Sequence, residues 1–165
     1  MPRDDVLQDS RGSALGMAEG QLPSGATIGD AQYPGVANLE GHLRHAFRAA
    51  ADDATRDGVH IWITSGWRSE QYQEQLFRQA ASKYGSQAEA ARWVARPGTS
   101  VHEAGEAVDI GPDLGAAWLS EHGAAYGLCQ IYRNEPWHFE LRPAAVADGC
   151  PTMYADPTHD PRLQR

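Results

Sequence analysis

The order of the periodic segments along the chain constrains the fold more than any other feature. Apolar residues recur at helical spacing through 37–58 and again through 68–85, and an alternating stretch at 59–66 between them predicts a strand. The other strand patterns come late, in "EAVDI" at 106–110 and in a hairpin pattern at 128–141. Because helices and strands do not alternate as βαβ units, the sequence predicts an α+β fold with helices packed on a central antiparallel sheet.

The same patterns divide the chain into three parts. Residues 1–35 are rich in Gly, Ser, Asp and Pro and show little periodicity, which predicts a loosely ordered N-terminal leader. Residues 36–143 carry the helix and strand patterns and are expected to form one catalytic domain. Residues 144–165 are predicted to be a C-terminal surface tail.

The charge balance argues against two kinds of partner. The formal net charge is -8 and Lys and Arg form no run, whereas nucleic acid and anionic membranes attract clustered positive charge. No apolar stretch approaches the roughly 18 to 20 residues of a membrane span. The segment "MPRDDVLQDSRGSALG" has no apolar region of the signal-peptide kind. We therefore expect neither nucleic acid binding nor a membrane span.

Four residues could form a metal site. His102 and Asp109 lie in "SVHEAGEAVDIG", and Glu135 and His138 lie in "NEPWHFE". A catalytic zinc commonly takes three His, Asp or Glu ligands and keeps a fourth position open, so His102, Asp109 and His138 suit the metal. Glu135 would then be the general base. A polar turn that merely contains a His and an Asp is the alternative, and the other five histidines are expected to be surface or core residues.

Arg68 is the second candidate for chemistry. It follows the predicted strand in "TSGWRSEQYQ", where a guanidinium is well placed to bind a substrate carboxylate or a developing oxyanion. A surface arginine at a helix start is the alternative interpretation.

The two cysteines, Cys129 and Cys150, also allow two interpretations. A disulfide would indicate an oxidising compartment, and the alternative is a pair of buried free thiols. Their spacing does not provide a four-ligand zinc site.

Three blocks of the sequence together resemble a known family. They are "SGWRS" followed by Tyr72 and Gln73, "PGTSVHEAGEAVDI" at 97–110, and "EPWHFE" at 135–140. In this order they are similar to the VanY-type zinc D-alanyl-D-alanine carboxypeptidases and dipeptidases, which trim peptidoglycan stem peptides. The resemblance covers roughly residues 36–141.

The resemblance implies a role for each matching residue. One zinc ion would be bound by His102, Asp109 and His138, with Glu135 as catalytic base and Arg68 stabilising the tetrahedral intermediate. Ser100, Tyr72, Gln73 and Trp137 would contact the substrate. The resemblance also implies a small α+β domain with the zinc site at the sheet, and an extracytoplasmic location in the cell envelope or outside the cell. We expect a monomer that acts on a stem peptide or muropeptide.

Three alternatives keep the same metal site but cleave another bond: a D,D-dipeptidase, an L,D-carboxypeptidase and an L-alanyl-D-glutamate endopeptidase. A fourth alternative is a zinc-binding wall interaction domain without catalysis. The presence of both Glu135 and Arg68 favours an enzyme over that module.

Overall fold

The computed structural model describes residues 16–164 and shows a four-stranded antiparallel sheet with helices packed against it. The strands are β1 (Trp62–Ser65), β2 (Ala107–Gly111), β3 (Leu128–Gln130) and β4 (His138–Leu141). Their order in the sheet is β1-β2-β4-β3, and every neighbouring pair is antiparallel. The α+β fold class predicted from the sequence is confirmed.

The helices are short apart from two. They are α1 (Pro34–Ala37), α2 (Gly41–Arg56), α3 (Glu70–Tyr84), α4 (Gln87–Ala90), α5 (Asp113–His122) and α6 (Ala145–Asp148). Five 3-10 segments join them, at Met17–Glu19, Val101–Ala104, Gly123–Tyr126, Pro157–His159 and Pro161–Leu163. None of the helices in residues 16–164 has both the length and the apolar character needed to cross a bilayer.

The two faces of the sheet have different roles. One face packs on α2, where Leu43 and Phe47 meet Val108, Ile110 and Phe139 in the main hydrophobic core. Since side chains alternate between faces along a strand, the intervening residues Asp109 and His138 face the other way. One face of the sheet therefore packs in the core, and the other face carries Asp109 and His138.

The start of α2 is capped by a glutamate. The helix begins at Gly41, and the Glu40 side chain accepts hydrogen bonds from the backbone N–H groups of His42 and Leu43. The backbone N–H of Glu40 donates to the carbonyl of Gly105 at 2.8 Å. This bond ties the start of α2 to the loop before β2.

The described parts of the predicted leader and tail, residues 16–35 and 144–164, differ from a loose leader and a surface tail. In the predicted leader, Ala26 and Ile28 are buried, and the Ala26 carbonyl accepts from the N–H of Ile63 at 2.7 Å. In the predicted tail, Asp160 and Leu163 are buried. Apolar burial and strand-edge hydrogen bonding order both segments, although the domain boundaries remain predictions. Residues 1–15 lie outside the described residues.

The disulfide alternative for the cysteines is the one observed. Cys129 and Cys150 are bonded across a sequence separation of 21 residues, which joins β3 to the segment after α6. A loop of this length restricts the unfolded chain by about 3 kcal/mol.

Removing this cross-link is expected to lower the free energy of unfolding by about 3 kcal/mol, because the unfolded chain regains the entropy of the closed loop. Urea unfolding of the Cys129→Ala/Cys150→Ala variant beside the oxidised parent measures the loss. Reductant should destabilise the parent and leave the double variant unchanged. An equal midpoint for the oxidised parent and the double variant would show that the cross-link contributes nothing.

Candidate active site

The pairing of β2 with β4 builds the centre of the site. Asp109 lies directly opposite His138 in this register, and it also pairs with Ser65 of β1 across a local irregularity. Directly opposed residues of an antiparallel pair place their side chains side by side on one face. The two residues, 29 positions apart in sequence, are therefore brought together by the backbone itself.

His102 reaches the same point from a short 3-10 turn. Ser100 caps this turn, with its hydroxyl accepting from the N–H of His102. Gly105 ends the turn at a φ of +72°, and a Cβ there would lie 2.3 Å from the carbonyl oxygen of Asn38. Only glycine suits both the left-handed conformation and this close approach. The turn aims His102 at Asp109 as the chain enters β2.

The three predicted ligands converge. Nε2 of His102 lies 3.3 Å from Oδ1 of Asp109, and Nδ1 of His138 lies 3.2 Å from the same oxygen. All three side chains are buried, and their ligand atoms lie within 4.8 Å of one another. Two imidazole nitrogens and a carboxylate oxygen form a donor set that suits zinc.

The outer nitrogen of each imidazole is also engaged. Nδ1 of His102 lies 2.8 Å from the carbonyl oxygen of Gly66, and Nε2 of His138 lies 2.7 Å from Oε2 of Glu140. Because these oxygens accept, the outer nitrogens donate, which leaves the inner nitrogens with lone pairs for a metal. This arrangement is typical of metal-ligating histidines. The residues present therefore fit a zinc ion.

The charges of the site also fit a cation. Although burial opposes ionisation, His102, His138 and the neighbouring Arg68 hold the pKa of Asp109 well below its usual range. Burial likewise opposes a charged imidazole, but hydrogen bonds to Asp109 and Glu140 raise the pKa of His138 to about 10. In the metal-free protein a proton can therefore also occupy the inner nitrogen of His138, and a bound metal ion would displace that proton and take its place beside the carboxylates.

Arg68 is buried beside this cluster rather than exposed at a helix start. Its Nη2 donates to Oδ2 of Asp109 at 2.8 Å, its Nη1 to Gln73 at 3.0 Å and its Nε to Ser65 at 2.7 Å. These bonds hold Asp109 with Oδ1 toward the two histidines. Arg68 also lines the cleft above the cluster.

Glu135 lies at the same cleft and is buried. Burial raises the pKa of its carboxyl group to about 8, and the negative charges of Asp109 and Glu140 act in the same direction. Its carboxylate accepts no hydrogen bond from the described part of the chain. A carboxyl group in this setting is poised to exchange a proton.

The empty space in and at the mouth of the cleft is about 590 Å³, part of which is open solvent. Of the residues predicted to contact the substrate, Ser100, Gln73 and Trp137 line it. Gln73 is fully buried, with its amide nitrogen donating to the carbonyl of Ala95. Tyr72 is not among the lining residues. It packs with Leu76 and Ala80 on the buried face of α3, as their spacing of four residues could have indicated.

Sequence reasoning missed Glu140 and the residues around it. Glu140 is 1% exposed, and hydrogen bonds from His138 and Arg162 lower its pKa to about 2 although burial opposes ionisation. The ring of Tyr132 packs on the ring of His138, with centroids 5.0 Å apart. The sequence could have indicated Glu140, because residues two positions apart on a strand, such as His138 and Glu140, lie on the same face of the sheet.

The site combines a buried His–Asp–His cluster, an adjacent carboxyl group and an open cleft, which is the class of arrangement that metal-dependent hydrolases use. A family model described as VanY: D-alanyl-D-alanine carboxypeptidase matches residues 37–144. The chain belongs to the VanY family of D-alanyl-D-alanine carboxypeptidases.

One relative is similar in sequence. A D-alanyl-D-alanine carboxypeptidase of Enterococcus faecalis is 34% identical over 113 residues, covering 53% of this chain and 42% of the relative. The chain thus spans less than half the length of that protein.

Two solved structures are similar in fold. The D,D-pentapeptidase VanY of a VanB-type vancomycin resistance cassette, a variant in complex with Zn(II), has a TM-score of 0.62 and 28% identity over 66% of this chain and 76% of that one. VanYB in complex with D-alanine-D-alanine has a TM-score of 0.62 and 26% identity over 67% of this chain and 74% of that one.

Proposed function

We propose that this protein is a zinc-dependent carboxypeptidase that removes the terminal D-alanine from peptidoglycan stem peptides ending in D-Ala-D-Ala. The observation that carries the proposal is the convergence of His102, Asp109 and His138 beside Glu135 at the floor of one cleft. The family match and the D-alanine-D-alanine complex of the similar VanYB structure support the substrate class.

His102, Asp109 and His138 would hold one zinc ion through Nε2, a carboxylate oxygen and Nδ1 respectively. Zinc held in this way supplies a Lewis acid that polarises a carbonyl group and acidifies water. The protein fixes the two imidazoles through Gly66 and Glu140, and it fixes Asp109 through Arg68. The ligands are therefore held in place by their own hydrogen-bond partners.

Glu135 would carry the proton during hydrolysis. Water adds its hydroxyl group to the scissile carbonyl carbon, and Glu135 accepts the proton that is released. The carboxyl group then gives that proton to the nitrogen of the departing D-alanine as the C–N bond breaks. Since the side-chain carboxylate of Glu135 accepts no hydrogen bond from residues 16–164, it is available for this exchange.

Arg68 would stabilise the negative charge that develops on the carbonyl oxygen. A guanidinium has five N–H groups, and three of those of Arg68 are used by Asp109, Gln73 and Ser65. The remaining two N–H groups of Arg68 would donate hydrogen bonds to the oxyanion in the cleft. In this proposal Arg68 both orients Asp109 and contacts the reacting group.

We propose that three residues lie next to the substrate, because they line the cleft: Ser100, Gln73 and Trp137. Gln73 acts through Arg68 and the Ala95 carbonyl, since both ends of its amide are already bonded. Tyr72 packs in a buried hydrophobic cluster, and we do not propose that it contacts the substrate.

The location proposed for the protein is extracytoplasmic, where its substrate is found. The Cys129–Cys150 disulfide supports this, because disulfides persist in oxidising compartments. A monomeric state stays a prediction.

Defined peptides test the bond that is cleaved. With a stem pentapeptide ending in D-Ala-D-Ala, we expect a tetrapeptide and free D-alanine as the products read by mass spectrometry. The free D-Ala-D-Ala dipeptide, the stem tetrapeptide and a peptide blocked at its C-terminus should be poor substrates. Faster cleavage of the dipeptide, of the tetrapeptide or of the L-alanyl-D-glutamate bond would instead identify the corresponding alternative activity.

A further inference from the structure

The C-terminal segment 156–163 lies beyond the family match at 37–144 and yet contacts the centre of the site. Pro157 and Leu163 line the cleft, and Asp160 is fully buried. The segment contains two 3-10 turns, and its Arg162 points back to β4. Its contacts with the sheet suggest a role in the metal centre that the family match does not cover.

Arg162 makes a double contact with Glu140. Its Nη1 donates to Oε1 at 2.8 Å and its Nη2 to Oε2 at 3.4 Å. Arg142 donates to the same Oε1 at 3.1 Å, so Glu140 receives two cations. A carboxylate that is 1% exposed requires such partners, because an unpaired buried charge is strongly unfavourable.

Glu140 in turn accepts from Nε2 of His138 at 2.7 Å. This bond places the ring proton on Nε2 and presents Nδ1 to the ligand cluster. The chain of contacts therefore runs from Arg162 through Glu140 to His138, although Arg162 is not itself a member of the His102–Asp109–His138 cluster.

A second contact reaches the same ring. Asp160 accepts from Nη2 of Arg162 at 2.6 Å and from the hydroxyl of Tyr132 at 2.7 Å. The aromatic ring of Tyr132 packs on His138. Asp160 thus bonds both to Arg162, which contacts Glu140, and to Tyr132, whose ring packs on the imidazole of His138.

We propose that Arg162 is a positioning residue of the metal centre, which fixes the tautomer and orientation of His138 through Glu140. The inference rests on the proposed function, since it concerns the binding of the same zinc ion. Changes to the partners of metal ligands commonly lower metal affinity by about 10 to 100-fold. Because Arg162 acts one contact further away, through Glu140, we expect Arg162→Ala to lower zinc affinity at the lower end of this range, by about 10-fold.

The chain offers a matched control in Arg92. The side chain of this arginine also contacts the C-terminal segment, through Asp156 at 3.3 Å, but its other side-chain partner among residues 16–164 is Glu89 rather than Glu140. If Arg162 merely anchored the segment, Arg92→Ala and Arg162→Ala would act alike. If Arg162 positions His138, only Arg162→Ala should disturb the metal centre.

The test is a zinc titration of the full chain against a chromophoric chelator, for the parent, Arg162→Ala and Arg92→Ala. We expect the affinity to fall by about 10-fold in Arg162→Ala and by less than about twofold in Arg92→Ala. The visible spectrum of the Co²⁺-loaded protein should change in the first variant and not in the second. Thermal unfolding of the metal-free proteins reports on folding, and Arg162→Gln replaces the alanine variant if that one does not fold.

An affinity of Arg162→Ala or Arg162→Gln within about twofold of the parent would overturn the inference. Equal losses in the Arg162 and Arg92 variants would also overturn it, in favour of general anchoring of the segment. A parent protein that binds no zinc would refute the proposed function itself, which is a separate and recognisable result.

Discussion

Glu135→Gln is expected to lower the turnover of a D-Ala-D-Ala pentapeptide by about 10² to 10⁴-fold, the usual contribution of a general base. The amide cannot accept the proton of the attacking water or return it to the leaving amine. Glutamine has nearly the same shape and lacks the charge, and Glu135 is not one of the three clustered ligands. Zinc affinity should therefore stay within a few fold of the parent.

The measurement pairs single-substrate kinetics with a zinc titration of the same preparation. Glu106→Gln is the matched control. Glu106 is an exposed glutamate just after the turn that carries His102, and it does not line the cleft. It should keep parental turnover. A Glu135→Gln variant with parental turnover and bound zinc would remove Glu135 from the mechanism.

Asp109→Ala is expected to have the largest effect on the molecule as a whole. It removes a proposed zinc ligand and also the buried carboxylate that pairs with Arg68 at 2.8 Å. Breaking one side of a buried ion pair typically costs about 3 to 5 kcal/mol, because the remaining charge stays buried without its partner. We expect zinc binding to be lost and the metal-free protein to be destabilised by this amount.

Urea unfolding of the metal-free proteins measures the destabilisation. The double variant Asp109→Ala/Arg68→Met should recover part of the stability, since the unpaired guanidinium is removed as well. Zinc binding should not return. A loss below about 1 kcal/mol in the single variant, or no recovery in the double variant, would show that the pair is not coupled as described.

The cluster of His102, Asp109 and His138 was predictable because its members lie in short blocks of sequence that match the family pattern. His102 and Asp109 are seven positions apart around one glycine turn, and Glu135 lies three positions before His138, where β4 begins. The direct pairing of Asp109 with His138 could not be derived from spacing, since register depends on how β2 and β4 meet. The antiparallel sheet predicted from the hairpin pattern made that meeting possible.

The surroundings of the cluster were less predictable. The contact of Arg162 with Glu140 joins residues 22 positions apart through a segment without periodicity. Pro157–His159 and Pro161–Leu163 are single 3-10 turns, and such turns carry little sequence signal. Their order comes from tertiary contacts, with Leu163 packing on Tyr132 and Ile131 near the disulfide.

The most direct test of the account follows the release of D-alanine from a D-Ala-D-Ala pentapeptide by untreated, chelator-treated and zinc-reconstituted protein. We predict that the untreated protein removes one alanine residue, that the metal-free protein removes none, and that one equivalent of Zn²⁺ per chain restores the activity. Release of D-alanine that survives complete removal of the metal, or no release by protein that holds a full equivalent of zinc, would contradict the account.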